Sequence, residues 1–217
     1  MARVKTNQDR MIEAALKVFA TKGYAGTSVD DIIKAAEVAR GTFYLYFESK
    51  HTAFEQVLTH VIGQIEKLLQ GIPSGMIFRT PEDVYNRMLT TYARFLKLFQ
   101  RNRAFARIVY TEATGADKGF DALLEKHYDT HRTNIRRFLE CVRQSGFARS
   151  FHIDVVTETI IGYTERCARI FIGGEAPGMD LDALARELAD TEFLIVSNVP
   201  LAEVRPALPA APDGTAH

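Results

Sequence analysis

The sequence predicts an all-α fold of about nine helices. Apolar residues recur at the three- and four-residue spacing of helices, and no segment alternates apolar and polar residues for long enough to suggest a strand. With 217 residues, of which 47% are hydrophobic, the chain can bury a substantial core. We expect three short helices over 1–50, a larger helical domain over 51–199 and a disordered tail over 200–217, where four prolines stand among alanines.

A short helix is predicted to begin after Ser28. The Ser28 hydroxyl can cap the orphan amides of the first turn, and Asp31, three residues later, complements the helix dipole. Val29, Ile32, Ile33 and Ala36 then share one face at helical spacing. This pattern ends before residue 40, and a second helical pattern starts almost at once.

The second pattern covers 40–47 and divides into two faces. At 100° per residue, Phe43 and Phe47 share the inward side, and the outward residues are Gly41, Thr42, Tyr44 and Leu45. Five consecutive large side chains cannot all be buried on one helix face, which argues against a simple core stripe. Two short helices with so brief a break between them are typical of a helix-turn-helix that reads DNA.

Individual side chains of this motif suit a nucleic-acid contact. Gly41 costs about 1 kcal/mol within a helix relative to alanine, so we interpret it as the point where the backbone approaches a duplex. Thr42 can contact a base, and Arg40 can pair with a guanine edge or a phosphate. The hydroxyls of Tyr44 and Tyr46 suit phosphate contact.

The start of the fourth helix is a further candidate phosphate contact. Ser49 is placed to cap that helix, which puts Lys50 and free amides at its positive end.

These motifs together resemble the N-terminal domain of the TetR/AcrR family of bacterial transcriptional regulators. The resemblance runs from about Thr6 to Thr59, through Ile12–Leu16, Gly23–Tyr24 and Thr27–Ile32, and is strongest over Arg40–Phe47 with Ser49–Lys50. It implies an all-helical homodimer whose first three helices bind DNA, while the remaining helices sense a ligand and dimerise. The positions that match DNA contacts in the family are Ser28, Arg40, Gly41, Thr42, Tyr44, Tyr46 and Lys50, and Leu45 matches a base-contacting position where leucine can make only an apolar contact.

The charge distribution is compatible with a DNA partner although the whole chain has a formal net charge of zero. Residues 1–50 hold eight Lys or Arg and six Asp or Glu, a balance of +2. Arg3, Lys5 and Arg10 supply most of this charge. We therefore expect a modest positive face and no strongly basic domain.

Beyond the motif, the chain continues as six long or intermediate helices. Glycine and proline positions place them over 49–69, 81–100, 104–114, 118–145, 153–172 and 181–196. Proline at position 81 suits a first helical turn. The fifth helix has a predicted buried face made of Val84, Met88, Leu89, Tyr92, Phe95, Leu96 and Phe99.

Aromatic residues are abundant over helices five to eight. They can line a cavity for a small apolar or aromatic ligand, or they can simply fill a core, and the sequence does not separate these alternatives. The candidate ligand-binding residues are Phe95, Phe99, Phe105, Tyr110, Tyr128, Phe138, Tyr163 and Phe171. A DNA-binding regulator controlled by a protein partner, or by no ligand, would share every feature of the N-terminal motif.

Helices eight and nine carry the predicted homodimer interface. Their apolar faces exceed what one protomer needs, and a two-fold axis would pair each face with its copy. The residues assigned to this interface are Val156, Ile160, Gly162, Tyr163, Ala168, Ile170, Leu181, Leu184, Leu188 and Ile195. Helix four, which starts at the DNA surface and ends beside the second domain, is the one element expected to couple ligand binding to DNA binding.

Other functional classes lack support in the sequence. No glycine-rich phosphate loop, nucleophile motif or paired Glu-x-x-His set occurs, so we expect neither an enzyme nor a cofactor. Cys141 and Cys167 are expected to be reduced thiols in a cytoplasmic protein. His127 and His131 have a metal-ligand spacing without an evident third ligand, so surface or helix-capping roles are expected. No signal peptide or membrane-length apolar run is present.

Overall fold

The computed structural model describes residues 6–69, 75–172 and 180–205, and within these ranges the chain is helical with no strand. This confirms the all-α prediction. The helices are α1 (Asn7–Gly26), α2 (Val29–Ala36), α3 (Arg40–Tyr46), α4 (Lys50–Leu69), α5 (Pro81–Arg101), α6 (Arg103–Arg107), α7 (Lys118–Gln144), α8 (Ile153–Cys167), α9 (Leu181–Val196) and α10 (Leu201–Val204). Two wider π-helical turns follow α6 and α8 directly, at Ile108–Glu112 and Ala168–Ile172.

Two of the predicted helices therefore change their hydrogen-bonding pattern part-way. The predicted helices over 104–114 and 153–172 each begin as an α-helix and finish as a π-helical turn. The α9 bounds agree with the prediction. We call the turn Ile108–Glu112 the π-segment below, because it lies against the N-terminal helices.

The expectation of a disordered tail from residue 200 is wrong for its first part. Residues Leu201–Val204 form α10, and the Val204 side chain is buried. Arg205 also lies 3.2 Å from the buried carboxylate of Asp190 on α9, which ties this segment to the domain. Residues 206–217 lie outside the described part of the chain, as do Gly71 and Pro73, the residues from which the sequence predicts the end of the fourth helix.

Local capping interactions explain where several helices begin. The Ser28 hydroxyl accepts the Asp31 amide at 3.2 Å and the Asp31 carboxylate accepts the Ser28 amide at 2.9 Å, so the predicted cap is confirmed. The bond to Lys22, together with those to Ser28, holds the pKa of the Asp31 carboxyl well below its usual range. The α5 helix begins in the same way, with Thr80 as its cap.

An aromatic junction connects the N-terminal helices to the rest of the molecule. Phe19 and Tyr24 of α1 each lie 4.9 Å, centroid to centroid, from Phe54 of α4, and Phe120 of α7 lies 4.7 Å from Phe54 and 5.3 Å from Tyr24. These four rings belong to one continuous hydrophobic core that extends from α1 to α10. Helix α1 is therefore packed directly onto the larger domain.

Helix α4 is not the one element that joins the two domains. Helix α1 also packs against α6 and the π-segment, in addition to α2 and α4. The expectation that α4 alone could couple the domains is therefore wrong, because a second contact exists along the side of α1.

The residues assigned to the dimer interface are also corrected in part. Val156, Ile160, Leu184 and Leu188 are buried within a single protomer, since α9 packs against α5 and α8 packs against α7 and α9. Their apolar faces are already covered, so they cannot form the interface. The exposed large apolar side chains of these two helices are Val155 and Leu194.

Buried polar pairs fix α5 against α9. The Tyr85 hydroxyl donates to Asp190 at 2.7 Å, and the Tyr92 hydroxyl donates to the buried carboxylate of Glu192. Burial raises the pKa of Glu192 to about 7 and raises the pKa of Tyr85 to about 12, the latter with help from Asp190. The predicted buried face of α5 is otherwise confirmed, except that Leu89 is half-buried.

Replacing Glu192 by glutamine should change how stability depends on pH. The unfolded chain ionises Glu192 near 4.5, whereas the folded chain retains the proton to about 7, so the parent should lose stability as the pH rises through this interval. Glu192→Gln keeps an oxygen to accept the Tyr92 hydroxyl and removes the titration. Relative to the parent it should gain on the order of 2–3 kcal/mol between about pH 4 and about pH 8.

Urea unfolding at one fixed protein concentration measures this difference. The matched control is Glu55→Gln, which changes an exposed carboxylate within α4 and should alter the unfolding free energy by less than about 1 kcal/mol at any of these pH values. Parallel pH–stability curves for Glu192→Gln and the parent would show that the buried carboxyl does not titrate as stated.

Candidate nucleic-acid interface and ligand cavity

Helix α3 has one buried side and one solvent side, as predicted. Phe43 and Phe47 are 0% and 1% exposed, whereas Tyr44 and Leu45 are 49% and 80% exposed. A Cβ added at Gly41 would meet no atom within 4 Å, so no contact within the protomer requires glycine there. An external partner that approaches the backbone closely would require it.

The polar residues around α3 form the rest of this surface. Arg40 begins α3 and its guanidinium Nη2 lies 3.3 Å from Oδ1 of Asp30, with both side chains largely exposed. Thr42 and Tyr46 are half-buried, and Ser28 is exposed at the start of α2. We call the surface formed by Ser28, Arg40, Gly41, Thr42, Tyr44, Leu45 and Tyr46 the reading face.

The start of α4 agrees with the prediction for Ser49 but differs from it for Lys50, which was expected to be free to contact a phosphate. Ser49 does cap α4, since its hydroxyl accepts the Thr52 amide at 3.2 Å. The Lys50 ammonium, however, donates to the Tyr24 carbonyl at 3.0 Å and lies 4.6 Å from the centre of the Tyr24 ring. Lys50 is therefore half-buried and bound to the end of α1, at the edge of the reading face.

A cavity lies among α5, α7, α8 and α9, and its free volume is about 80 Å³. Its apolar wall consists of Met88, Tyr92, Phe95, Ile135, Phe138 and Ile160. Its polar lining consists of Arg87, Thr91, His131, Asn134, Thr164 and Glu192. The volume is small compared with the roughly 300–1,000 Å³ of typical ligand sites. A larger molecule can enter only if lining side chains move.

The polar groups of this cavity are strongly desolvated. Burial, reinforced by the neighbouring His127, lowers the pKa of His131 to about 4, so the imidazole is neutral near pH 7. The Thr164 hydroxyl is buried without a hydrogen-bond partner among the described residues, and so is the Nε of Arg87. These groups can orient a bound molecule that supplies the missing partners.

The predicted ligand-binding aromatics are divided among three environments. Phe95 and Phe138 line the cavity described above, whereas Tyr110 and Tyr128 line a second, polar cavity of about 210 Å³ together with Glu165. Phe99 lies in the core and packs against Phe95 of the first cavity and Tyr110 of the second. The Tyr163 hydroxyl is hydrogen-bonded to the Tyr92 hydroxyl. The side chains of Phe105 and Phe171 lie outside the described part of the structure.

Sequence reasoning missed the polar residues of the first cavity. The clearest signal was available on α9, where Glu192 stands four residues after Leu188 and four before Val196, on the buried face. An acid at an apolar helical position indicates a buried, proton-binding carboxyl.

The two histidines of α7 do not have the surface or capping roles expected of them. His127 is buried in the middle of the helix, 3.7 Å from Glu66 of α4, and His131 lines the cavity. Within the described residues, no group of three or more His, Cys, Asp or Glu side chains could hold a metal ion. Cys141 and Cys167 are free thiols, and burial raises the pKa of Cys167. No helix of the described chain combines the length and hydropathy needed to cross a membrane.

Comparison with known proteins agrees with this architecture. Residues 11–57 match the family model of the bacterial regulatory proteins, tetR family. The uncharacterised HTH-type regulator YvdT of Bacillus subtilis is 42% identical over 67 residues, which are 29% of this chain, and the match spans only about a third (34%) of YvdT. FadR from Bacillus subtilis, solved in complex with stearoyl-CoA, superposes with a TM-score of 0.71 at 19% identity, covering 86% of this chain and 97% of FadR. At that identity the likeness shows the fold.

A longer match supports more than the fold. IcaR, the HTH-type negative transcriptional regulator of the biofilm operon icaADBC in Staphylococcus aureus (strain Newman), is 39% identical over 140 residues, covering 60% of this chain and 74% of IcaR. The match therefore extends well beyond the reading helices into the larger domain. This chain accordingly belongs to the TetR/AcrR family of bacterial DNA-binding transcriptional regulators, which are not enzymes.

Proposed function

We propose that the protein is a repressor that binds a palindromic operator as a homodimer and leaves it when a small apolar or aromatic molecule enters the cavity among α5, α7, α8 and α9. The observation that carries the DNA-binding part is the reading face, where α3 exposes Gly41, Tyr44 and Leu45 above a buried Phe43 and Phe47. IcaR, named a negative regulator, supports the sign of the regulation.

The reading face assigns different tasks to its residues. Gly41 lets the start of α3 approach the duplex, Arg40 and Thr42 contact base edges, and Leu45 contacts a thymine methyl group. Tyr44, Tyr46 and Ser28 contact phosphates and fix the register of the helix on the duplex. Lys50 adds a positive charge at the edge, where it also holds the end of α1.

Tyr44→Ala and Phe47→Ala form a matched pair of variants that distinguishes an effect on operator contact from an effect on protein stability. Tyr44→Ala should weaken operator binding about tenfold or more, because it removes an exposed hydroxyl from the reading face, while the unfolding free energy stays near that of the parent. Phe47→Ala should lower the unfolding free energy by about 3–5 kcal/mol, because it empties a fully buried site. Fluorescence anisotropy at one salt concentration and thermal unfolding measure the two effects.

The assigned reading face would be wrong if Tyr44→Ala bound the operator as tightly as the parent at equal salt.

The proposed dimer uses α8 and α9, but apart from Gly162 it uses residues other than those first expected. Their solvent sides at helical spacing are Val155, Thr159, Gly162 and Arg166 on α8, and Glu187, Thr191 and Leu194 on α9. A two-fold axis would bring these sides against their own copies in a four-helix contact. An obligate interface of this kind buries more than roughly 2,000 Å².

Leu194→Arg should convert the dimer to a monomer at micromolar concentration. The change places a charge in an apolar contact, and because the interface is two-fold symmetric the charge occurs once on each protomer. Ile77→Arg is the control, since Ile77 and Leu194 are each 57% exposed but Ile77 lies outside α8 and α9. Sedimentation velocity distinguishes the states. A monomeric parent, or a dimeric Leu194→Arg variant, would contradict the proposed interface.

Ligand control is proposed from the mixed lining of the cavity and from its small volume. A molecule with an apolar or aromatic body must displace side chains such as Phe95 to enter, and this displacement moves the helices that carry them. The reading helices of a dimer must stay about 34–36 Å apart to meet successive major grooves, so a shift of a few ångströms spoils the fit. The alternative is a DNA-binding regulator controlled by a protein partner, or by no ligand.

Reciprocal titrations distinguish these alternatives. A ligand identified by native mass spectrometry of the protein from its own host should bind more weakly in the presence of saturating operator, by the same factor by which it weakens operator binding. A factor of about 5–150 is typical of such coupling. Equal ligand affinities with and without operator would exclude ligand-driven release and leave the protein-partner or constitutive alternative.

A further inference from the structure

We infer that Glu112 is a positioning residue for DNA reading: its carboxylate holds the end of α1 and thereby sets how the reading face sits on the larger domain. The inference rests on the proposed operator binding and adds to it a second connection between the domains, separate from α4. It starts from one hydrogen bond between residues 88 positions apart in the chain.

The contact is compact and partly buried. The Tyr24 amide donates to Oε2 of Glu112 at 2.9 Å, and Nε of Arg107 donates to the other carboxylate oxygen at 3.1 Å. The Glu112 side chain is only 14% exposed. Both oxygens therefore have partners from different helices, and the carboxylate is fixed in one orientation.

The backbone of α1 is shaped to make this contact. Gly23 has non-helical φ and ψ of 77° and 164°, which breaks α1 immediately before Tyr24. A Cβ at residue 23 would lie 2.9 Å from Oε2 of Glu112, and the positive φ itself disfavours any side chain. The turn thus favours glycine at this position, and an added Cβ would push the carboxylate away from the Tyr24 amide.

Tyr24 passes the constraint on to the start of α4. Its carbonyl accepts the Lys50 ammonium at 3.0 Å, and its ring packs on Phe54 and Phe120 in the aromatic junction. Lys50 directly follows the reading helix and its short connection. A displacement of Glu112 therefore reaches the start of α4, four residues after the end of α3, through the main chain of Tyr24 and the Lys50 side chain.

The other end of the connection leads to the cavity. Tyr110 belongs to the same π-segment as Glu112, and its ring lies 5.8 Å from that of Phe99. Phe99 in turn lies 4.8 Å from Phe95, which lines the cavity. A molecule that displaces Phe95 thus presses on a line of packed rings that ends at the π-segment.

The test compares three variants on operators of different half-site spacing. The operator is first selected by the parent chain from random duplex DNA, and derivatives are made with one base pair added or removed between the half-sites. Glu112→Ala should lower affinity for the selected operator about tenfold, the effect of losing a charge-assisted hydrogen bond. It should also reduce the preference for correct over altered spacing, because a loosened reading face tolerates both.

Two control variants separate positioning from general destabilisation. Glu112→Gln retains an oxygen to accept the Tyr24 amide and should keep most of the spacing preference, and Arg107→Ala leaves the Tyr24 contact intact and should do likewise. A protein that is merely less stable has a smaller active fraction, which lowers apparent affinity for every operator by the same factor. Hydrogen exchange at the Tyr24 amide should accelerate in Glu112→Ala and stay near the parent rate in Glu112→Gln.

The outcomes are distinguishable. If Glu112→Ala keeps the full spacing preference of the parent, or loses affinity equally for all spacings, Glu112 does not position the reading face and the inference is wrong. If the parent selects no operator at all, the proposed function itself fails, and the inference falls with it.

Discussion

The aromatic junction of Phe19, Tyr24, Phe54 and Phe120 is the constraint on which the rest of the structure depends. Four rings from α1, α4 and α7 lie within about 5 Å of their neighbours, in tilted and edge-to-face contacts that favour one arrangement of the helices. Because this packing is continuous with the core of the larger domain, the reading face has a defined position relative to the cavity. The proposed ligand control needs that defined position, since a reading face on a free linker would not respond to a molecule bound in the larger domain.

The same molecule keeps costly polar groups inside its second domain. Glu192, His131 and Thr164 line the cavity, and burial alone shifts the carboxyl pKa upward and contributes most to the downward shift of the imidazole. A purely structural core would favour apolar residues of similar volume here, since a desolvated carboxyl works against folding above its pKa. Buried polar groups that lower the stability of the fold and are concentrated at one cavity are typical of a binding site.

Much of the N-terminal domain could be predicted because its determinants are local. The Ser28–Asp31 cap, the cap by Ser49 and the two faces of α3 each depend on residues within one or two turns of helix, and all are confirmed. The bounds of α9 agree for the same reason, because proximity in sequence already brings the capping groups together. The reading face, with its exposed Gly41, was therefore accessible to sequence reasoning before any tertiary contact was known.

The sequence by itself determined the helices, their caps and the face of α3 that meets solvent, since these follow from helical periodicity and near neighbours. Only the tertiary structure decided that Lys50 binds Tyr24, that Glu112 reaches an amide 88 residues away, and that Val156 and Leu188 are covered within one protomer. The physical reason is the same in each case. An amphipathic pattern shows that a face is buried but not what covers it, and a charged side chain finds its partner only when distant helices pack side by side.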